Sequence, residues 1–136
     1  MPYVDGFVIP VPKANREAYM KFAEEAAAVV KEYGALKVVE CWGDDVPEGK
    51  ITSFPMAVKS EEDETVVFSW VIWPSRAARD EGSKKMMADP RMQPGKTMPF
   101  DGKRLIYGGS LTPAVLMGRV AVAVEGVKMS IRPTAR

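Results

Sequence analysis

The stretch Thr65–Val66–Val67–Phe68–Ser69–Trp70–Val71–Ile72–Trp73, followed at once by Pro74–Ser75, decides the fold. Every position but Ser69 is β-branched or aromatic, which is the composition of a strand, and the proline and serine that follow end it and open a helix. Alternation puts Val66, Phe68, Trp70 and Ile72 on one face and Val67, Val71 and Trp73 on the other. Both faces are apolar, so both need cover. Helices can supply one layer. The chain has too few elements for a second, and a second subunit is the expected cover for the open face.

Working outward, Ser60–Glu61–Glu62–Asp63–Glu64 is an acidic turn into that strand, and Lys50–Lys59 before it alternates in the manner of a short edge strand carrying Pro55. Upstream, Ala35–Gly43 reads as a strand with Leu36, Val38, Glu40 and Trp42 on one side. From Lys13 to Tyr33 the residues Tyr19, Phe22, Ala23, Ala26, Val30 and Tyr33 recur at spacings of three and four, predicting an amphipathic helix. Asn15 is placed to cap it and Gly34 to end it. Tyr3–Val11 reads as the first strand, with Gly6 marking a bulge or the close approach of another backbone, and Pro10 and Pro12 ending its pairing. Downstream, Ser75 caps a second helix over Arg76–Ala88, stopped by Asp89–Pro90. Arg91–Phe100 is an irregular loop, Asp101–Gly102 turns the chain, and Lys103–Tyr107 forms a last strand ending at Gly108–Gly109.

This order is ferredoxin-like, an α+β fold in which an antiparallel sheet carries helices on one face. It accounts for residues 1–110 as one domain. Residues 111–136 lie outside it as an atypical C-terminal tail, apolar and basic, in which Val120–Val124 reads either as an extra strand or as part of a disordered segment.

A chain of 136 residues holds one core and needs no metal or disulfide to fold. Its single cysteine, Cys41, cannot pair internally, and the N-terminus lacks a basic segment ahead of an apolar run, so a soluble cytoplasmic protein is expected. No apolar run reaches the roughly 20 residues a membrane helix requires. Up to Ser110 the chain carries 15 basic and 17 acidic residues, against 4 and 1 after it, and the main body offers no basic footprint for nucleic acid. There is no histidine, which removes the commonest general base and metal ligand. No cofactor or metal is expected.

Asp5 and Glu40, acids on strands, are the candidate carboxylate pair of a barrel cavity, with burial raising one of them into acid–base range. The plainer reading pairs each with a cation such as Lys37 or Arg104. Trp42, Trp70 and Trp73 are candidates to line an aromatic pocket, or else pack in core and interface. Tyr3 and Tyr107 offer hydroxyls to the same cavity. Cys41 reads as an inert thiol. Asp44, Asp45, Glu48 and the Glu61–Glu64 run lack calcium-loop spacing and read as solvated turns.

Five segments together, YVDGFVIPVP, YGALKVVECWGDDVP, TSFPMAVK, VVFSWVIWPS and MPFDGKRLIYGG, resemble the bacterial family named domain of unknown function 1428 over Met1 to about Gly109. The resemblance implies a dimeric α/β barrel, two sheets closed face to face, and it brings no established catalytic residue. The functional expectation is a homodimeric small-molecule-binding or accessory protein with a small hydrophobic ligand. The alternative is a cofactor-independent monooxygenase or isomerase acting on a small aromatic substrate.

Overall fold

A computed structural model of the chain describes residues 1–92 and 97–116, and places residues 121–124 and 127–130 as strands. Strand β1 spans Tyr3–Pro12, helix α1 Arg16–Glu32, β2 Lys37–Trp42, a helical turn α2 Phe54–Ala57, β3 Glu64–Trp73, α3 Arg76–Ala88 and β4 Ile106–Leu111. Four strands form one antiparallel sheet in the order β2-β3-β1-β4. The fold is α+β, as expected. In the C-terminal segment, β5 (Ala121–Val124) pairs antiparallel with β6 (Val127–Ser130) as a separate two-stranded sheet.

The register sorts the side chains into two faces. On one face lie Tyr3, Asp5, Phe7, Ile9 and Val11 of β1, Val67, Ser69, Val71 and Trp73 of β3, and Val38, Glu40 and Trp42 of β2. Both long helices cover this face. Tyr19 and Ala23 of α1 share a core with Ile9, Val11, Val67 and Phe100. Gly82 of α3 lies against the Trp73 ring so closely that a Cβ there would meet it at 2.5 Å. Trp73 is thus the tryptophan under the helices, 2% exposed, while Trp70 lies on the opposite face.

That opposite face holds Val4, Val8, Val39, Cys41, Phe68, Trp70, Ile72 and Ile106. Phe68 is 41% exposed and Ile106 44%. Among the described residues, α2 touches its far end, where Phe54 stacks on Phe68.

Local chemistry explains the helix ends. Ser75 accepts the Ala78 N–H at 3.1 Å and starts α3. Gly34, at φ +109°, supplies the left-handed residue that ends α1. Asn15 precedes α1 without capping it. Its side chain instead donates to the Pro99 carbonyl at 3.0 Å and ties down the chain leading into Phe100.

Four expectations are corrected. Residues 50–59 form no edge strand: Ser53 accepts the Met56 N–H and Pro55 sits in the first turn, so Phe54–Ala57 coils. The last strand is shifted, to Ile106–Leu111, because the Asp101 side chain accepts the Lys103 N–H and its carbonyl accepts the Arg104 N–H, which holds residues 101–104 in a turn. Gly6 is no bulge; it pairs in register with Trp70 and with Gly108. Pro10 and Pro12 do not end β1, which stays paired with β3 as far as Glu64. The Pro2 carbonyl accepts from Thr112, so even-numbered residues of β1 aim their backbone polar groups toward β4. Because β4 begins opposite Val8, neither proline forfeits a ladder bond.

Candidate functional site

Between α1 and the sheet lies a cavity of about 290 Å³. Its walls are Phe7, Ile9, Val38 and Val71 from the sheet, Phe22, Ala23, Ala26, Ala27 and Val30 from α1, and Met86 from α3, with Phe100 and Leu105 closing one end. Against this apolar lining stand Glu40, Ser69 and Tyr19. Three alanines on the inward side of α1 leave the space. Opposite them the sheet presents a row of Glu40, Ser69 and Phe7, none of which reaches up to fill it.

The Tyr19 hydroxyl donates to Glu40 Oε2 at 2.7 Å. Burial pushes the Glu40 carboxyl above its ordinary range, opposed by hydrogen bonds from Tyr19 and Ser69. Burial, and then the neighbouring Glu40, push the Tyr19 hydroxyl far above its ordinary range, so it stays protonated and acts as the donor. Among the described residues no cation forms an ion pair with Glu40. Lys37 points to the other face of β2 by parity, and Arg104 is engaged elsewhere. The site is therefore a carboxyl set in an apolar hollow, held by two hydroxyls and, among the described residues, neutralised by no cation. A half-buried acid in an apolar cleft, its carboxyl raised by burial, is a candidate functional group.

Asp5 has a different fate. It sits one row further along the sheet, opposite Val71, whereas Glu40 sits opposite Ser69, so the two acids do not form a pair. Asp5 accepts the Trp73 Nε1–H at 3.1 Å and lies 3.5 Å from Arg79 Nε. Burial raises its carboxyl, opposed by the Arg79 charge and the Trp73 hydrogen bond. Arg79 also donates to the Tyr3 hydroxyl at 2.8 Å and stands over the Tyr3 ring at 4.7 Å. Arg79 further pairs with Asp80 at 3.2 Å, and among the described residues its buried Nε makes no hydrogen bond. Gly109 of β4 belongs to this cluster, since a side chain there would strike the Tyr3 ring and hydroxyl and Arg79.

The other candidates are dispersed. Arg104 forms a two-pronged pair with the buried Glu64, at 2.7 Å on each prong, and pins the turn that carries Leu105 into the cavity wall. Trp42 packs beside Tyr19, with the Arg16 guanidinium 5.6 Å above its ring, and it borders the core rather than lining the cavity. Trp70 lies on the opposite face beside Phe68. Tyr107 is 74% exposed and stacks on Phe7. Cys41 is a free thiol, half-buried on the opposite face.

A second, larger and more polar hollow of about 580 Å³ is lined by Lys13, Asp44, Glu48, Glu61 and Glu62 among others. Among the described residues no group of acids, cysteine or histidine is arranged to hold a metal ion. Nor is any helix there long and apolar enough to cross a membrane.

A family profile described as "Protein of unknown function (DUF1428)" matches residues 2–102. The chain belongs to this family. It is 59% identical over 110 residues to the uncharacterized protein YbaA of Escherichia coli K12, an alignment covering 80% of this chain and 94% of that one. The YbaA proteins of Escherichia coli O157:H7 and Shigella flexneri match over the same lengths at the same identity. All the elements that build the cavity up to Phe100 fall inside the family match, whereas Leu105 and β4 follow it.

Sequence reasoning singled out Glu40 and missed Tyr19 and Ser69. Each left a trace. Tyr19 is one of two hydroxyls, with Tyr33, on an otherwise apolar helix stripe, and Ser69 is the one residue of Thr65–Trp73 that is neither β-branched nor aromatic.

Proposed function

We propose that this protein binds a small apolar molecule, of the size of a single substituted aromatic ring or a little larger, in the cavity between α1 and the sheet. The observation that carries the reading is Glu40, a carboxyl to which no described residue supplies a cation, at the floor of an apolar cavity of about 290 Å³. That volume lies at the lower edge of the ~300–1,000 Å³ common for ligand pockets. Apolar walls supply affinity without direction. A single polar group on the floor supplies orientation, by pairing with one hydroxyl or N–H on the ligand.

The protein does this as a homodimer in the cytoplasm, in a ferredoxin-like dimeric barrel whose sheets meet through their open faces. The strand order β2-β3-β1-β4 and the apolar, partly exposed residues of the open face support the assembly. The free Cys41 suits a reducing compartment.

Titration of the purified protein with 4-methylphenol, indole and toluene, followed by calorimetry or by chemical-shift changes, tests the cavity. The two hydrogen-bonding ligands should bind about tenfold more tightly than toluene, the value of one well-made hydrogen bond. That preference should disappear in Glu40→Ala. Binding of none of the three, or a preference that survives the substitution, would refute the reading. Native mass spectrometry of protein purified without denaturation then identifies the resident ligand.

A further inference from the structure

We infer that the ligand of the cavity between α1 and the sheet is a primary amine on a small aromatic body, whose ammonium group seats on Glu40, Tyr19 and Ser69. The inference rests on the small-molecule reading above and names the chemical class of that ligand.

The polar chemistry of the cavity is one-sided. Its described lining carries three polar side chains, Tyr19, Glu40 and Ser69, and all three present oxygen. No described lining residue has a side-chain nitrogen, so no side-chain N–H there greets a carboxylate or a phosphate. The rest of the wall is hydrocarbon, aromatic ring and thioether.

The three oxygens belong to one group. Glu40 and Ser69 stand directly opposite each other on β2 and β3, and the Tyr19 hydroxyl comes down from α1 to donate to Glu40 at 2.7 Å. Both hydroxyls favour the charged carboxylate, and burial opposes it. The donors that suit an anion are in place, and no described residue supplies the opposite charge. The charged groups of neighbouring elements are committed elsewhere. Asp5 is paired with Arg79 and Arg104 with Glu64, Arg16 stands over the Trp42 ring, and Lys37 lies on the other face of β2.

An ammonium group completes this arrangement in charge and in hydrogen bonding. It has three N–H donors, and the carboxylate and the two hydroxyl oxygens each keep lone pairs to accept one. An ion in apolar surroundings is costly unless it is paired and hydrogen-bonded, and here each ion meets that need of the other. A ligand hydroxyl would donate once and leave the Glu40 charge unopposed. A ligand carboxylate would add a second anion. The body of the amine has Ala26 and the rings of Phe22 and Phe100 to pack on, the two rings meeting edge to face at 5.5 Å.

Calorimetric titration of the full chain at neutral pH with phenethylamine, phenethyl alcohol, ethylbenzene and phenylacetate tests the inference. The amine should bind about tenfold or more tightly than the alcohol, as a charge-assisted contact outdoes a neutral one, and phenylacetate should bind most weakly. Glu40→Gln keeps the shape of the site and should abolish the amine's advantage while ethylbenzene binds as before. Amine affinity should fall as pH drops through the folded value of Glu40, since protonation discharges the acceptor, with ethylbenzene affinity level throughout. Tyr19, held protonated, takes no part in that profile. If none of the four compounds binds, this inference and the small-molecule reading both fall. If the neutral compounds bind and the amine binds no more tightly, the amine assignment alone is overturned, whatever the behaviour of the variant. An advantage that survives Glu40→Gln would likewise overturn it.

Discussion

The two ends of the helix-covered sheet face use the same layers and treat space in opposite ways. At the Trp73 end, small residues face a large ring. Gly82 admits the indole beneath α3, Gly109 admits Tyr3 and Arg79, and Asp5 is tied to both Trp73 and Arg79. At the Glu40 end, small residues face small or short ones. Ala23, Ala26 and Ala27 look down on Ser69 and Glu40, and a cavity of about 290 Å³ remains. One end closes and its acid acquires a cation. The other stays hollow, and its acid has two hydroxyls instead. The comparison shows that small residues do not by themselves make a cavity. What they oppose decides whether the layers close.

The largest effect should come from emptying the packed end. Trp73→Ala should cost roughly 3–5 kcal/mol in urea denaturation, the cost of removing a buried aromatic side chain from a tight core. A loss below about 1 kcal/mol would mean that the packed end is not packed. Overfilling the same end should cost less. Gly82→Ala places a methyl 2.5 Å from the Trp73 ring and 2.7 Å from the Tyr33 carbonyl, and should cost about 1–3 kcal/mol.

The matched experiment at the hollow end should have a different outcome. Ala26→Leu adds atoms where there is room, so stability should stay within about 1 kcal/mol of the wild type or rise, while binding of the small aromatic probes is lost. Equal penalties at Gly82 and Ala26 would erase the distinction between the two ends.

The acids sharpen the comparison through pH. Glu64, tethered by Arg104, has its carboxyl held below the ordinary range chiefly by that hydrogen bond. Its contribution is present above the unfolded value near 4.5 and is lost as pH falls through the folded value. Glu64→Gln should therefore lower the melting temperature at pH 7, by an amount that shrinks toward pH 3. Glu40 has the opposite sign. Its carboxyl is raised by burial, so the folded state holds a proton that the unfolded state releases. The fold is favoured most below the unfolded value near 4.5 and loses that advantage as pH rises through the folded value. Glu40→Gln should raise the melting temperature slightly at pH 7, with little change at pH 4. A destabilising Glu40→Gln at pH 7 would show that the anion is satisfied in the native state.

Much of this was legible in order. The two-faced character of β3, the apolar stripe of α1, the Ser75 cap and the Gly34 terminus rest on local periodicity and local backbone chemistry, and all appear in the fold. What was not legible had a nonlocal or competing cause. The alternation of residues 50–59 is real, but one Ser53 cap and one proline in the first turn outweigh a strand with no described partner. The last strand was displaced because Arg104 is held by Glu64, 40 positions earlier, so the turn extends as far as that contact. The site divided in the same way. Glu40 is recognisable as an acid within an otherwise apolar strand stretch, Val38–Trp42. Tyr19, its donor, is found only when α1 docks.

By itself, the sequence determined the element types, the pairing of an apolar helix face with an apolar sheet face, and the placement of Trp70 and Trp73 on opposite sides. These follow from the periods of helix and strand, which act over a few residues. Only the tertiary structure decided that Trp73 lies beneath the helices, that Asp5 takes a cation while Glu40 takes none among the described residues, and that a cavity remains above Ser69. Each of those depends on which side chains from distant segments meet across the gap between layers. A gap is a property of the two layers together, and neither strand nor helix encodes it alone.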